Sequence, residues 1–314
     1  MLDCYRQLAQ VLERLPAVLA TVIQIKGSVP REVGAKMIID ANGQIFGTIG
    51  GGAGEAKVIQ QALKMLETGE NQWIEIDLTG APQRDTQGIC GGVMRVWLER
   101  WEGDRAISLI HQILTHLESG QSVSIVTPFD SFPYLSDDCP EHAFIETIEP
   151  PPTLLIVGAG HCGIQLAKVA DLIGFQVIVQ DDRAEWANVD RYPNAKIFNG
   201  SIDQAVEALA THTQLYAALV TRGYQYDLAA LKALVDRAIP CRYIGMIGSE
   251  KRVRQVFQAA EIPLEKRRSI YAPIGLDIGA LTPKEIAISI SAELILVRRG
   301  GTGRSLSESL RMRD

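Results

Sequence analysis

The chain is 314 residues long, 46% hydrophobic and 22% charged, with a formal net charge of −6 at pH 7. That length suffices for a substantial core and points to two domains. The acidic balance and the lack of a basic tract argue against a nucleic-acid partner, and no apolar run approaches the roughly 18 residues of a membrane span.

Cys4, Cys90, Cys139, Cys162 and Cys241 are odd in number and include no C-x-x-C pair. They imply a reducing cytoplasm, without a disulfide framework or structural zinc. The opening stretch MLDCYRQLAQVLERL predicts an amphipathic helix over 2–15, with mixed charge unlike a signal peptide. Residues 17–25 are rich in β-branched side chains and predict a strand. After the break at Gly27-Ser28-Val29-Pro30-Arg31, residues 35–40 and 44–48 predict a hairpin around Ala41-Asn42-Gly43.

Gly50, Gly51 and Gly52 follow, then a helix over 56–66 stopped by Gly69. Bare amides between a strand and a helix suit a nest for a phosphate or another anion. The same run also suits a turn where two backbones touch. Residues 73–78 predict a strand, 79–88 a surface loop, and 93–101 a strand preceded by Cys90, Gly91 and Gly92. Cys90 beside two glycines is a thiol with little steric cover, although free cysteines are commonly buried bystanders. A helix over 104–117, strands over 122–127 and 143–148 and an irregular stretch at 129–139 complete a smaller α+β domain, 1–148.

Residues 149–153 carry three consecutive prolines and read as a stiff linker. Beyond them, strands over 154–157, 175–180, 196–198, 215–221, 242–246 and 269–271 alternate with helices. This predicts a Rossmann-like, doubly wound parallel sheet over 154–300, with a polar tail at 301–314. The first strand runs into Gly158-Ala159-Gly160-His161-Cys162-Gly163 and then a helix over 164–173, the order a dinucleotide-binding unit requires. Asp181 stands 23 residues after Gly158, near the spacing of a carboxylate that takes a ribose hydroxyl. Arg183 would instead meet an extra phosphate, so NAD-like and NADP-like ligands both stay open. His161 and Cys162 suit helix-start packing, or for His161 a ligand contact. The loops at Thr221-Arg222-Gly223-Tyr224 and Gly245-Met246-Ile247-Gly248-Ser249 fall at the same carboxyl edge. Thr282-Pro283-Lys284-Glu285 is a capping box opening a last helix over 284–297.

Together these motifs, with Gly47-Thr48-Ile49, Glu55, Asp181-Asp182-Arg183 and the run from Ala272 to Ala280, resemble the XdhC/CoxI family of accessory proteins for xanthine dehydrogenase-type molybdenum enzymes, across roughly residues 16–300. The resemblance implies a chaperone that binds molybdenum cofactor, a molybdopterin that often carries a nucleotide. It also implies help in sulfuration by a cysteine desulfurase, and delivery to a xanthine dehydrogenase-type apoenzyme. In that reading Arg31, Gly50, Gly51, Gly52, Glu55, Cys90, Gly91 and Gly92 line the pterin side. Gly158, Gly160, His161, Gly163, Asp181, Arg222, Gly248 and Ser249 take the phosphate–ribose side. A homodimer fits the resemblance too. Many relatives carry a cysteine directly after the glycine triplet, where this chain has Ala53, and alanine can neither ligate molybdenum nor carry sulfur. Cys90 matches the family's second cysteine and would be the molybdenum thiolate. The rival readings are an NAD(P)-dependent oxidoreductase and a protein-binding scaffold.

Overall fold

The computed structural model describes residues 1–79, 91–267 and 269–307. It divides into two compact units, one of Met1–Glu118 with Ser122–Pro150 and the other of Ser119–Gln121 with Pro151–Asp314. The first unit's chain runs α1 (Leu2–Leu12), β1 (Ala17–Lys26), β2 (Lys36–Asp40), β3 (Ile45–Gly47), α2 (Gly52–Thr68), β4 (Gln72–Asp77), β5 (Val93–Trp101), α3 (Gly103–Glu118), β6 (Val123–Pro128), β7 (Tyr134–Leu135) and β8 (Ala143–Ile148).

Its main sheet has the order β3-β2-β1-β5-β4, and a smaller one the order β7-β6-β8. Every pairing in both is antiparallel. β1 reads as a continuous apolar run because both of its faces are covered. Ala17 and Leu19 join the core under α1 and α3, whereas Val18, Ala20 and Val22 join the core under α2. α1 supplies Leu2, Tyr5, Leu8 and Leu12 to the first of these, the spacing of one helix face. The predicted irregular stretch at 129–139 holds the short β7, and α2 begins four residues earlier than the sequence suggests, inside the glycine run.

In the second unit the order is β9 (Thr153–Val157), α4 (His161–Leu172), β10 (Gln176–Gln180), β11 (Lys196–Phe198), α5 (Ile202–Ala208), β12 (Leu215–Leu219), α6 (Tyr224–Val235), β13 (Tyr243–Met246), α7 (Glu250–Ala259), α8 (Leu264–Arg267), β14 (Ile270–Tyr271) and α9 (Pro283–Arg299). The six strands are parallel in the order β11-β10-β9-β12-β13-β14. This is the doubly wound Rossmann arrangement, with its reversal between β9 and β12. Leu154 and Ile156 face the core shared with α4 and α9, and Leu155 and Val157 face the one shared with α6 and α7. The capping box is formed, with Thr282 accepting from the Glu285 amide and Glu285 returning the bond. No helix among the described residues is long and apolar enough to cross a membrane.

Candidate functional site: a Rossmann crevice and a glycine cradle

The glycine turn between β9 and α4 uses each glycine for a different physical reason. Gly158 has φ 109°, and a Cβ there would lie 2.6 Å from the Val220 carbonyl oxygen. A Cβ on Gly163, inside the first turn of α4, would fall on the Gly158 carbonyl oxygen and 3.1 Å from the Tyr192 hydroxyl. Gly160, the N-cap, has open space where its Cβ would be, and no side chain caps the helix. The backbone is therefore bare where the helix dipole favours an anion.

Asp181, at the carboxyl end of β10, is buried, and both of its oxygens are engaged. Oδ2 accepts from the Ala159 amide at 2.8 Å and from Arg183 Nη2 at 2.9 Å. Oδ1 accepts from Arg183 Nε at 2.8 Å and the Arg183 amide at 3.1 Å. Burial alone would raise its pKa, but the Arg183 guanidinium and the two amides outweigh it and hold the carboxyl at about 2. The residue at the ribose-acceptor position thus clamps the glycine turn from within. Arg183 also lies over Trp186 at 4.8 Å, Arg191 lies over the same ring at 4.7 Å, and His161 meets Trp186 edge-on at 6.2 Å.

On the other side of the turn, a cavity of about 320 Å³ is lined by Gly158, Gln180, Asp182, Asp203, Arg222 and Tyr226, among others. Arg222 forks onto Asp182, with both N···O distances 2.9 Å. Its guanidinium also stacks 4.0 Å over the Tyr226 ring and hydrogen-bonds the Tyr226 hydroxyl. The loop carrying Arg222 is fixed from below. Fully buried Asp227 accepts from Thr221 Oγ1 and Arg252 Nε, each at 2.6 Å. Ser249 is occupied as the N-cap of α7, accepting from the Arg252 amide, and Gly248 packs on the Arg252 side chain. Asp182 was within reach of the sequence through the Asp181-Asp182-Arg183 motif, whereas Asp203 carried no signal as a cavity residue.

The first unit gathers its own motif residues. Cβ atoms on Gly50 and Gly92 would collide with Pro30 and with the Lys26 carbonyl oxygen, respectively, so Gly50 and the segment at 91–92 both lie against the segment at 26–31. Cys90 lies outside the described residues; the described cysteines Cys4, Cys139, Cys162 and Cys241 are free. Gly50, Gly51 and Gly52 all have positive φ, which L side chains avoid. Of the triplet, the Gly51 amide is aimed inward at Glu55, while the Gly50 amide donates to Thr48 Oγ1 at 3.1 Å. Glu55 Oε2 accepts from Thr48 Oγ1 at 2.6 Å, the Ile49 amide at 3.0 Å and the Gly51 amide at 3.1 Å. Burial would raise the Glu55 pKa, yet these bonds lower it. Arg31 packs beside Gly50, with Nε 3.8 Å from Glu32. Among the described residues no group of three His, Cys, Asp or Glu side chains could hold a metal ion.

Fold and crevice define a Rossmann protein that carries a second, antiparallel α+β unit. The XdhC and CoxI family model matches residues 11–77, and the XdhC Rossmann domain model matches residues 154–294. The chain belongs to the XdhC and CoxI family. It is 28% identical to a probable xanthine dehydrogenase subunit of Bacillus subtilis, covering 90% of this chain and 93% of that one. The molybdenum cofactor insertion chaperone PaoD of Escherichia coli is 30% identical over 109 residues, 35% of this chain and 33% of PaoD. A solved structure from Bacillus halodurans, described as a xanthine dehydrogenase, superposes with a TM-score of 0.72 at 25% identity, covering 98% of this chain and 99% of that one.

Proposed function

We propose that this protein is an accessory factor for a xanthine dehydrogenase-type molybdoenzyme, holding molybdenum cofactor as cargo before insertion. One observation carries the reading: in a chain of this family, the glycine turn that leads to an uncapped helix start at an open Gly160 also gives Gly158 to a largely apolar cavity that holds Asp182 and Arg222 at the strand reversal. That combination suits a ligand with an anionic phosphate and a flat polar ring. The residues fit the organic part of the cargo. The bare amides of the first turn of α4 would meet the phosphate, and the cavity bounded by Arg222 and Asp182 would receive the ring or nucleotide. Ala53, at the position of the relatives' cysteine, supplies no thiolate, which leaves Cys90 as the candidate sulfur ligand in the first unit.

Glu55 supports the cradle rather than the cargo, because its carboxylate already fills the inward-facing amides. The protein would also assist sulfuration of the cargo by a cysteine desulfurase, and a second copy of the chain would be its partner in a homodimer. The test is to purify the protein from cells making molybdenum cofactor, identify the bound small molecules by mass spectrometry and quantify molybdenum. Stoichiometric molybdopterin is the expected result. Recovery of a nicotinamide dinucleotide without pterin would overturn the reading in favour of an oxidoreductase.

A further inference from the structure

α9 buries one face and leaves another bare. Ala287, Ile290 and Leu294 enter the core shared with α4, and Glu293 accepts from the Tyr243 hydroxyl and the Gly275 amide. On the other side Ile288 is 55% exposed and Ile295 38% exposed, and Leu281, just before the Thr282 cap, is 87% exposed. Leu281, Ile288 and Ile295 recur every seven residues, the spacing of a helix–helix seam. At 100° per residue, Ile288, Ala292 and Ile295 fall within about 60° of one another, so the middle of this outer face is an apolar strip.

The charges at the two ends of the strip say what covers it. Glu285 and Arg299 are both exposed, and each stands seven residues from Ala292, one toward the start of α9 and the other toward its end. Glu285 is held in place by its capping duty, with Oε2 accepting from the Leu281 and Thr282 amides at 2.9 and 2.8 Å. A second α9 laid antiparallel across Ala292 sets Glu285 of each copy against Arg299 of the other. It brings Ile288 within one residue of register with Ile295 across the seam, and it opposes the two helix dipoles. A parallel pair would place glutamate on glutamate and arginine on arginine. The small side chain of Ala292 lets the two helices approach at the crossing.

We propose that the outer face of α9 is a self-association surface, on which a second copy of this chain docks antiparallel about a twofold axis at Ala292. One patch serves both copies of such an interface, so growth stops at two. The proposal rests on the accessory-factor reading only for its homodimer. The cargo takes no part in the test, so the two can fail separately.

Sedimentation velocity of the full-length protein across a range of concentrations tests it. The wild type should be a dimer that dissociates on dilution, and Ile288→Glu should be a monomer with the wild-type circular dichroism spectrum. Glu285→Arg and Arg299→Glu should each weaken the dimer by about tenfold, because two exposed pairs turn from attractive to repulsive at once. An equimolar mixture of these two variants restores both attractive pairs and should dimerise about as tightly as the wild type. That recovery separates pairing between copies from any loss of the Glu285 cap within one chain. A monomeric wild type, a dimer that survives Ile288→Glu, or a mixture no tighter than its components would overturn the proposal.

Discussion

Arg183 grips Asp181 from two residues away, Nε on Oδ1 at 2.8 Å and Nη2 on Oδ2 at 2.9 Å, and thereby turns a ligand-type carboxylate into part of the scaffold. The second acceptor duty of Asp181, toward the Ala159 amide, links this pair to the glycine turn. The charge pair therefore sets the position of the turn on which any phosphate would land.

Replacing Asp181 with asparagine should loosen that turn and destabilise the protein by of order 2 kcal/mol at pH 7. The Asp181 carboxyl titrates at about 2 in the folded chain, below the ordinary aspartate range. Its stabilisation is thus complete above the unfolded value near 3.9 and is lost as pH falls toward 2. The gap between wild type and Asp181→Asn in urea unfolding should accordingly be constant from pH 5 to 7 and shrink steadily from pH 4 to 2. A gap that does not depend on pH would show that the charge is irrelevant.

The glycines of the turn separate fold from binding. Gly163→Ala puts a methyl onto the Gly158 carbonyl oxygen, a backbone atom that cannot swing aside. Overpacking of this kind costs about 1–3 kcal/mol, and it should appear as a lower melting temperature. Gly160→Ala meets nothing within 4 Å, and φ at Gly160 is −78°. Its melting temperature should match wild type, while affinity for a phosphate-bearing ligand falls because the methyl stands where the phosphate approaches. Equal thermal losses in the two variants would contradict this division.

The sequence was most readable where one signal sufficed. The G-x-G-x-x-G after an apolar run and the regular alternation beyond the prolines mark β9, α4 and the parallel sheet. The Thr282 capping box marks the start of α9. The site was less readable because its residues act through partners chosen by the fold. Asp181 stands at ribose-acceptor spacing, yet nothing in the sequence says that Arg183 will fold back onto it. Gly50, Gly51 and Gly52 look like an anion nest, yet the Gly51 amide already has an internal carboxylate, because the first turn of α2 carries Glu55 under the amides of Ile49 and Gly51. Asp203 acquires its interest only from the cavity that the packing of α5 and α6 leaves open.

Glu55 makes a second test of an internal anion. Glu55→Ala abandons two backbone amides and the Thr48 hydroxyl together and should cost about 2–3 kcal/mol. Glu55→Gln, which keeps an acceptor, should recover part of that loss. The folded pKa is lowered, so the advantage of the wild type over Glu55→Gln should hold above the ordinary glutamate range and fade as pH falls below it. Urea unfolding followed by tryptophan fluorescence measures both variants. Alanine and glutamine variants of equal stability would mean that the carboxylate does not organise the triplet.

Glu99 behaves in the opposite sense. It is 3% exposed in β5, accepts from Trp101 Nε1 at 2.9 Å through Oε2, and leaves Oε1 without a partner among the described residues. Burial raises its pKa to about 7, the Trp101 bond, the neighbouring Trp97 indole N–H and the Lys36 ammonium opposing the rise and Glu146 adding to it. Lys36 is committed elsewhere, to Glu146 at 2.5 Å and Thr21 at 3.2 Å. A carboxyl whose folded pKa lies above its unfolded value favours the folded state most when protonated. Its contribution is therefore complete below the ordinary glutamate range and is lost as pH rises through about 7. Glu99→Gln keeps the acceptor for Trp101 and cannot ionise. Relative to wild type, its stability should be nearly level at pH 4 to 5 and should rise by of order 3 kcal/mol by pH 8. Denaturant unfolding of both proteins across that range decides the matter, and a variant that loses ground at high pH would show that Glu99 is held as a stabilising anion.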